Sequence, residues 1–130
     1  MPTFRFNKLV RDKLPGIYEK LDQRLTWRHL NGLALLKALQ DKLIEESAEI
    51  PFESNNIESI IDELADVEQV MDDIKAKLAI SDVEVEKTKQ RKLVKKGGFS
   101  NGIFVESIEL KDDDEWVEYY RRESEKYKEE

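Results

Sequence analysis

A chain of 130 residues with a formal charge of −7, 39% charged residues and no cysteine is most simply one domain, large enough for a core but too small for two comfortable ones. The composition excludes disulfides, thiolate chemistry and zinc–thiolate sites. It also makes duplex nucleic acid a poor partner, because affinity for DNA comes largely from basic groups that neutralise phosphates. Arg5 and Lys8 near the start, with no apolar stretch behind them, argue against a signal peptide. No run approaches the roughly 20 apolar residues that span a bilayer, so no membrane partner is expected and the expected compartment is the cytoplasm.

Residues 1–14 mix basic and apolar side chains without a clear period. Pro15 suits the first position of a short helix running to about Asp22, where its missing N–H costs nothing. The alternation in Leu25-Thr-Trp-Arg-His-Leu30 predicts a short strand. Asn31 then reads as the N-cap of a long helix opening at Gly32. Leu36, Leu39, Leu43 and Ile50 follow the three-to-four spacing of a buried stripe, and Pro51 ends the helix. A polar connection, Glu53 to Asn56, leads into a second long helix whose stripe is Ile57, Ile60, Ile61, Leu64, Val67, Met71, Ile74 and Leu78. So short a connection predicts an antiparallel hairpin.

Ser81-Asp-Val-Glu84 is a capping-box pattern that starts a further helix ending at Gly97. Lys87, Lys89, Arg91, Lys92, Lys95 and Lys96 crowd its second half, where the negative end of the macrodipole favours cations. Gly97-Gly98 breaks the chain. Residues 102–110 read as a second strand able to pair with residues 25–30. From Asp112 a C-terminal helix is expected, with Asp112–Asp114 in its first turn and Trp116, Tyr120 and Tyr127 as a docking stripe. The predicted class is mainly α, a helical hairpin with a small two-stranded β element. One hairpin leaves its apolar stripes half covered, so a four-helix core built by two chains is the expected solution.

Two acidic clusters stand out: Glu45-Glu46-Ser-Ala-Glu49 and Glu63-Leu-Ala-Asp66. On a helix, residues three and four apart share a face, so Glu46/Glu49 and Glu63/Asp66 are two pairs of neighbouring carboxylates. Acids on a charged helix are most often plain solvated surface. Here, however, both pairs border the buried seam, at roughly 60° and 120° from the centre of the apolar stripe at 100° per residue. Like charges so placed destabilise the helix. Lys42 is in reach of Glu46, but Glu63 and Asp66 have no basic residue within four positions. A divalent cation would supply the missing charge. The single histidine, His29, follows no Glu-x-x-His pattern of a di-iron bundle, and Asp112–Glu115 lacks the spacing and glycine of an EF-hand loop. An all-carboxylate set suits Mg²⁺ or Mn²⁺ beside phosphate groups.

Glu45-Glu46-x-x-Glu49 followed by Glu63-x-x-Asp66 resembles the EExxE…ExxD motif of the MazG-like, all-α NTP pyrophosphatases. That superfamily also includes dimeric dUTPases and phosphoribosyl-ATP pyrophosphohydrolases. Asn7-Lys-Leu-Val-Arg-Asp-Lys-Leu-Pro15 resembles the opening of a small phosphoribosyl-ATP pyrophosphohydrolase-like subgroup, and Lys96-Gly-Gly-Phe99 with Gly102-Ile-Phe resembles its RGGF…GI segment. The likeness covers residues 7 to about 110, a single domain with residues 111–130 as a C-terminal helical extension that has no counterpart in the pattern. Lys96 stands where the subgroup has Arg, which loses bidentate phosphate geometry but keeps the charge.

The resemblance implies Mg²⁺-dependent attack of water on a nucleoside triphosphate, giving the monophosphate and pyrophosphate, in house-cleaning of aberrant or excess nucleotides. It makes Glu46, Glu49, Glu63 and Asp66 the metal ligands. Glu45 becomes a fifth acid, either outside the immediate ligands or orienting the water, so that Glu45 and Glu46 are the candidate catalytic carboxylates. Lys95, Lys96, Gly97 and Gly98 are candidates to hold the phosphate tail, with Lys8, Arg11 and Lys13 as a second basic group. A homodimer or higher homo-oligomer is implied. The alternatives are a hydrolase of another phosphorylated metabolite, such as phosphoribosyl-ATP, and a non-catalytic helical module of the same fold. No motif marks the base; Trp27 is a weak stacking candidate.

Overall fold

The computed structural model describes all 130 residues and is mainly helical, with five helices and no strand. They are α1 (Leu14–Lys20), α2 (Gly32–Ala48), α3 (Ile57–Lys77), α4 (Asp82–Lys96) and α5 (Trp116–Arg122). Contacts divide the chain into two compact units, Met1–Gln90 and Arg91–Glu130.

In the first unit, α1 carries Pro15 in its first turn, where a missing N–H is harmless. It closes with Asp22 in the left-handed region (φ 61°), a conformation that aspartate tolerates better than most residues. Asn31 precedes α2 in an extended conformation, as an N-cap residue should, yet its side chain makes no capping bond. Asn56 does cap α3, accepting from the Ser59 N–H at 3.3 Å. The α2–α3 connection is short, and the two long helices pack against each other as a hairpin.

The seam of that hairpin is narrower than the apolar stripes. Leu39 and Val70 are its buried hydrophobic residues. Around them Leu35, Leu36 and Leu43 on α2, and Ile60, Val67 and Ile74 on α3, are half-buried. The remaining half of the α3 stripe faces away from α2. Ile57, Ile61, Leu64, Met71 and Leu78 are all exposed, between 44% and 64%, at intervals of four, three, seven and seven residues. The two rows are neighbouring faces of one helix, and α2 covers only one of them.

A left-handed Ala79 (φ 53°) ends α3, and the Ile80 N–H reaches back to the Lys75 carbonyl at 2.9 Å. This is the six-to-one closure that usually recruits glycine. The Lys75 Nζ lies 3.2 Å from Asp72 and 2.7 Å from Asp82, linking the end of α3 to the start of α4. The capping box is formed: Ser81 N–H donates to Glu84 at 2.8 Å and Glu84 N–H to the Ser81 Oγ at 3.1 Å.

The two-stranded element is absent. Residues 23–31 and 101–111 carry no strand or helix, and Trp27, Ile103, Phe104, Val105 and Ile108 are all more than half exposed. Alternation alone supplies no stability. A two-stranded ribbon is marginal in water without a third strand or a covering helix to bury its apolar face.

The second unit begins within the basic end of α4. Gly97 (φ 82°) terminates that helix, with its N–H on the Leu93 carbonyl at 2.9 Å. The aspartates expected in the first turn of α5 lie ahead of it: the Asp114 carboxylate accepts the Trp116 N–H at 2.8 Å, and the helix starts there. Trp116, Tyr119, Tyr120 and Tyr127 pack on one another, the closest pair being Tyr120 and Tyr127 with ring centroids 4.8 Å apart. Arg121 pairs with Glu129 at 2.8 Å. No helix in the molecule is long and apolar enough to cross a membrane.

Candidate functional site

The five acids of the two sequence clusters converge on one place in the hairpin. Glu46 is the hub. Its carboxylate lies within 4.8 Å of those of Glu45 and Glu49 in one group, and of Glu63 and Asp66 in another. Helix geometry explains the convergence. Leu35, Leu39, Lys42 and Glu46 follow four-three-four spacing on α2, and Ile60, Glu63, Val67 and Val70 follow three-four-three spacing on α3. Glu46 and Glu63 are therefore members of the packed rows themselves, further inside than the bordering positions that periodicity indicates.

Burial follows from that placement. Glu46 is only 8% exposed, the one buried charged residue in the chain. The Oε2 of Glu63 is buried without a hydrogen-bond partner. Burial, followed by the carboxylates of Asp66, Glu46, Glu49 and Asp62, pushes the Glu63 carboxyl above its ordinary range. Glu49 stands at the end of the arrangement as the C-cap of α2, exposed, with its N–H on the Glu46 carbonyl.

Basic residues approach from two directions. Lys42 reaches Glu46 at 3.1 Å and Glu45 at 3.4 Å along α2. The segment before α1 supplies the others: the Lys8 Nζ lies 2.8 Å from Glu45 on α2, and Arg11 pairs with Asp66 on α3. Asp66 thus acquires a basic partner from far along the chain, where the local sequence shows none, while no ion pair reaches Glu63. The Lys8 hydrogen bond, helped by Lys42 and opposed by burial, holds the Glu45 carboxyl below its ordinary range, and the same bond raises Lys8.

Five carboxylates against the three cations Lys8, Arg11 and Lys42 leave a formal excess of −2. With the unpartnered Glu63 oxygen, the two groups that share Glu46 are all-oxygen donor sets that could hold a hard divalent cation. Lys13 precedes α1 and makes no ion pair with the cluster. Lys95, Lys96, Gly97 and Gly98 are exposed in the second unit, where α4 ends. The rings of His29 and Trp27 stand nearly perpendicular, with centroids 5.0 Å apart, and His29 is not among the clustered acids' partners. Sequence reasoning missed the pairings of Lys8 and Arg11 with the acids, which span 37 and 55 residues and leave no local signal.

Comparison with protein-family models, curated proteins and solved structures finds no match.

Proposed function

We propose that the chain is a Mg²⁺-dependent nucleoside triphosphate pyrophosphohydrolase of the MazG-like kind, with Mn²⁺ as a substitute. The observation that carries the reading is the convergence of Glu45, Glu46, Glu49, Glu63 and Asp66 around a buried hub with an unpartnered oxygen. A cluster of this kind destabilises the fold unless something offsets its charge, and only part of that charge is offset by the protein.

Glu46, Glu49, Glu63 and Asp66 would hold the cation. When bound, the cation neutralises phosphate oxygens and favours departure of pyrophosphate. Glu45, at the rim and accepting hydrogen bonds from Lys8 and Lys42, would accept one from the attacking water and orient it. Glu46 is the second candidate for that role. Lys8 and Arg11 would supply positive charge at the rim for the phosphate tail.

The exposed row on α3 supports a homodimer in which a second copy covers Ile57, Ile61, Leu64, Met71 and Leu78. Five large apolar side chains at these spacings are what a helix presents to a partner helix. Two hairpins so joined make a four-helix core.

A competing reading is a non-catalytic helical module, favoured by the ion pairs of Lys8 and Arg11, which already neutralise part of the cluster. One experiment separates the two. Purified protein is incubated with a panel of standard and modified NTPs and dNTPs, with phosphoribosyl-ATP included, in Mg²⁺ or Mn²⁺. The expected product is pyrophosphate. Orthophosphate alone, or no product across the panel, overturns the assignment.

A further inference from the structure

We infer that residues 6–11 form a basic strap that competes with a divalent cation for the carboxylate cluster, so that cation binding releases the strap. The inference rests on the cluster being a cation site. The strap bridges the hairpin: Lys8 pairs with Glu45 on α2 and Arg11 with Asp66 on α3. Between them Leu9 and Val10 are half-buried. At its other end Phe6 meets Tyr18 of α1 edge-on, with ring centroids 6.4 Å apart. Asn7, left-handed at φ 47°, turns the chain between the aromatic and the ionic anchor, in a conformation asparagine adopts more readily than most residues.

The holding contacts are built to be reversible. The Lys8 and Arg11 side chains remain 44% and 59% exposed, and ion pairs that open to solvent are weak and exchange readily. A cation ligated by Asp66, with Glu45 drawn toward it, takes over the charge compensation these residues supply. The two bases then repel the cation instead of pairing with its ligands. Release frees Lys8 and Arg11 at the mouth of the site, where an anionic ligand accompanying the cation would meet them.

Linkage makes the consequence measurable: whatever the cation displaces must weaken its binding. Mn²⁺ affinity is measured by calorimetry on the full chain and on the double variant Lys8→Gln/Arg11→Gln. With exposed pairs of this kind, affinity should tighten by roughly two- to fivefold for each pair removed. Loss of positive charge near an acidic site can tighten binding without any strap movement, so a second readout is required. Limited trypsin digestion of the wild-type protein, followed by mass spectrometry, should show faster cleavage after Lys8 and Arg11 when Mg²⁺ is present than in chelator. Tighter binding with cleavage unchanged or slowed by metal overturns the strap and leaves only a field effect. Unchanged or weaker binding in the variant overturns it as well. If Mn²⁺ binds neither protein, the cation site itself falls, which is distinct from a site that binds metal while its strap stays in place.

Discussion

Glu46 on α2 and Glu63 on α3 face each other across the hairpin seam, their carboxylate oxygens within 4.8 Å and both inside the packed rows. Two acids in that position repel each other where water screens them poorly. Glu63→Gln removes one charge with little change in volume. The apo protein should melt at a higher temperature than wild type, while its affinity for Mg²⁺ or Mn²⁺ falls by about tenfold or more, in the range seen when a metal site is disturbed. Saturating metal should raise the wild-type melting temperature by mass action, chelation should reverse the rise, and the variant should lose most of it. A variant that melts lower than wild type in chelator would show the carboxylate to be structural.

The local features were legible because each is written within a few residues. Pro15 in the first turn of α1 and the Ser81–Glu84 box lie where their short-range signals put them, whereas Asn31 precedes α2 without making the capping bond its type suggests. Spacing also placed the carboxylates on the seam side of both helices. It did not show how deep they sit, because the α3 stripe is wide enough to contain two rows and periodicity does not say which neighbour covers which. The Lys8–Glu45 and Arg11–Asp66 pairs were hidden because a tertiary ion pair leaves no local pattern. The two expected strands show the reverse error: residues 25–30 and 102–110 alternate well, but no surface is present for either to cover.

Ala79 holds a left-handed conformation at the end of α3 (φ 53°), a position the six-to-one bond from Ile80 to Lys75 imposes. An L-residue with a Cβ costs about 1 kcal/mol there relative to glycine. Part of that gain is offset by the greater freedom of glycine in the unfolded chain. Ala79→Gly should therefore stabilise the protein by somewhat under ~1 kcal/mol in urea, without altering metal binding. Destabilisation would mean that the turn is not held in this conformation in solution.

Glu84 accepts from both the backbone N–H and the hydroxyl of Ser81, and these bonds hold its carboxyl below the ordinary value of 4.5. The folded state thus binds the proton less tightly than the unfolded one. Its stabilising contribution is complete above that ordinary value and disappears as pH falls through the lower folded-state value. Glu84→Gln keeps a capping side chain but not its charge. Thermal melts should show the variant less stable than wild type at pH 7, with the gap closing as pH falls through the lowered folded-state value and the wild-type carboxyl protonates. A gap independent of pH would exclude the charged hydrogen bonds as its source.

The last prediction concerns the row that α2 leaves uncovered. Ile61 and Leu64 are 60% and 44% exposed in the row that runs from Ile57 to Leu78, and neither is one of the clustered carboxylates. If a second copy covers this row, a two-fold axis buries each residue twice per dimer. Burying a side chain of this size contributes about 1.5–3 kcal/mol, so a charge at one of these positions is felt in both protomers. Ile61→Lys should leave the helix content unchanged, because lysine is a good helix former, and should weaken association by about tenfold or more. Sedimentation velocity over a micromolar concentration series is the measurement: wild type as a dimer, and the variant shifting to monomer within the series. Wild-type protein that sediments as a monomer throughout would mean that no second copy covers this face.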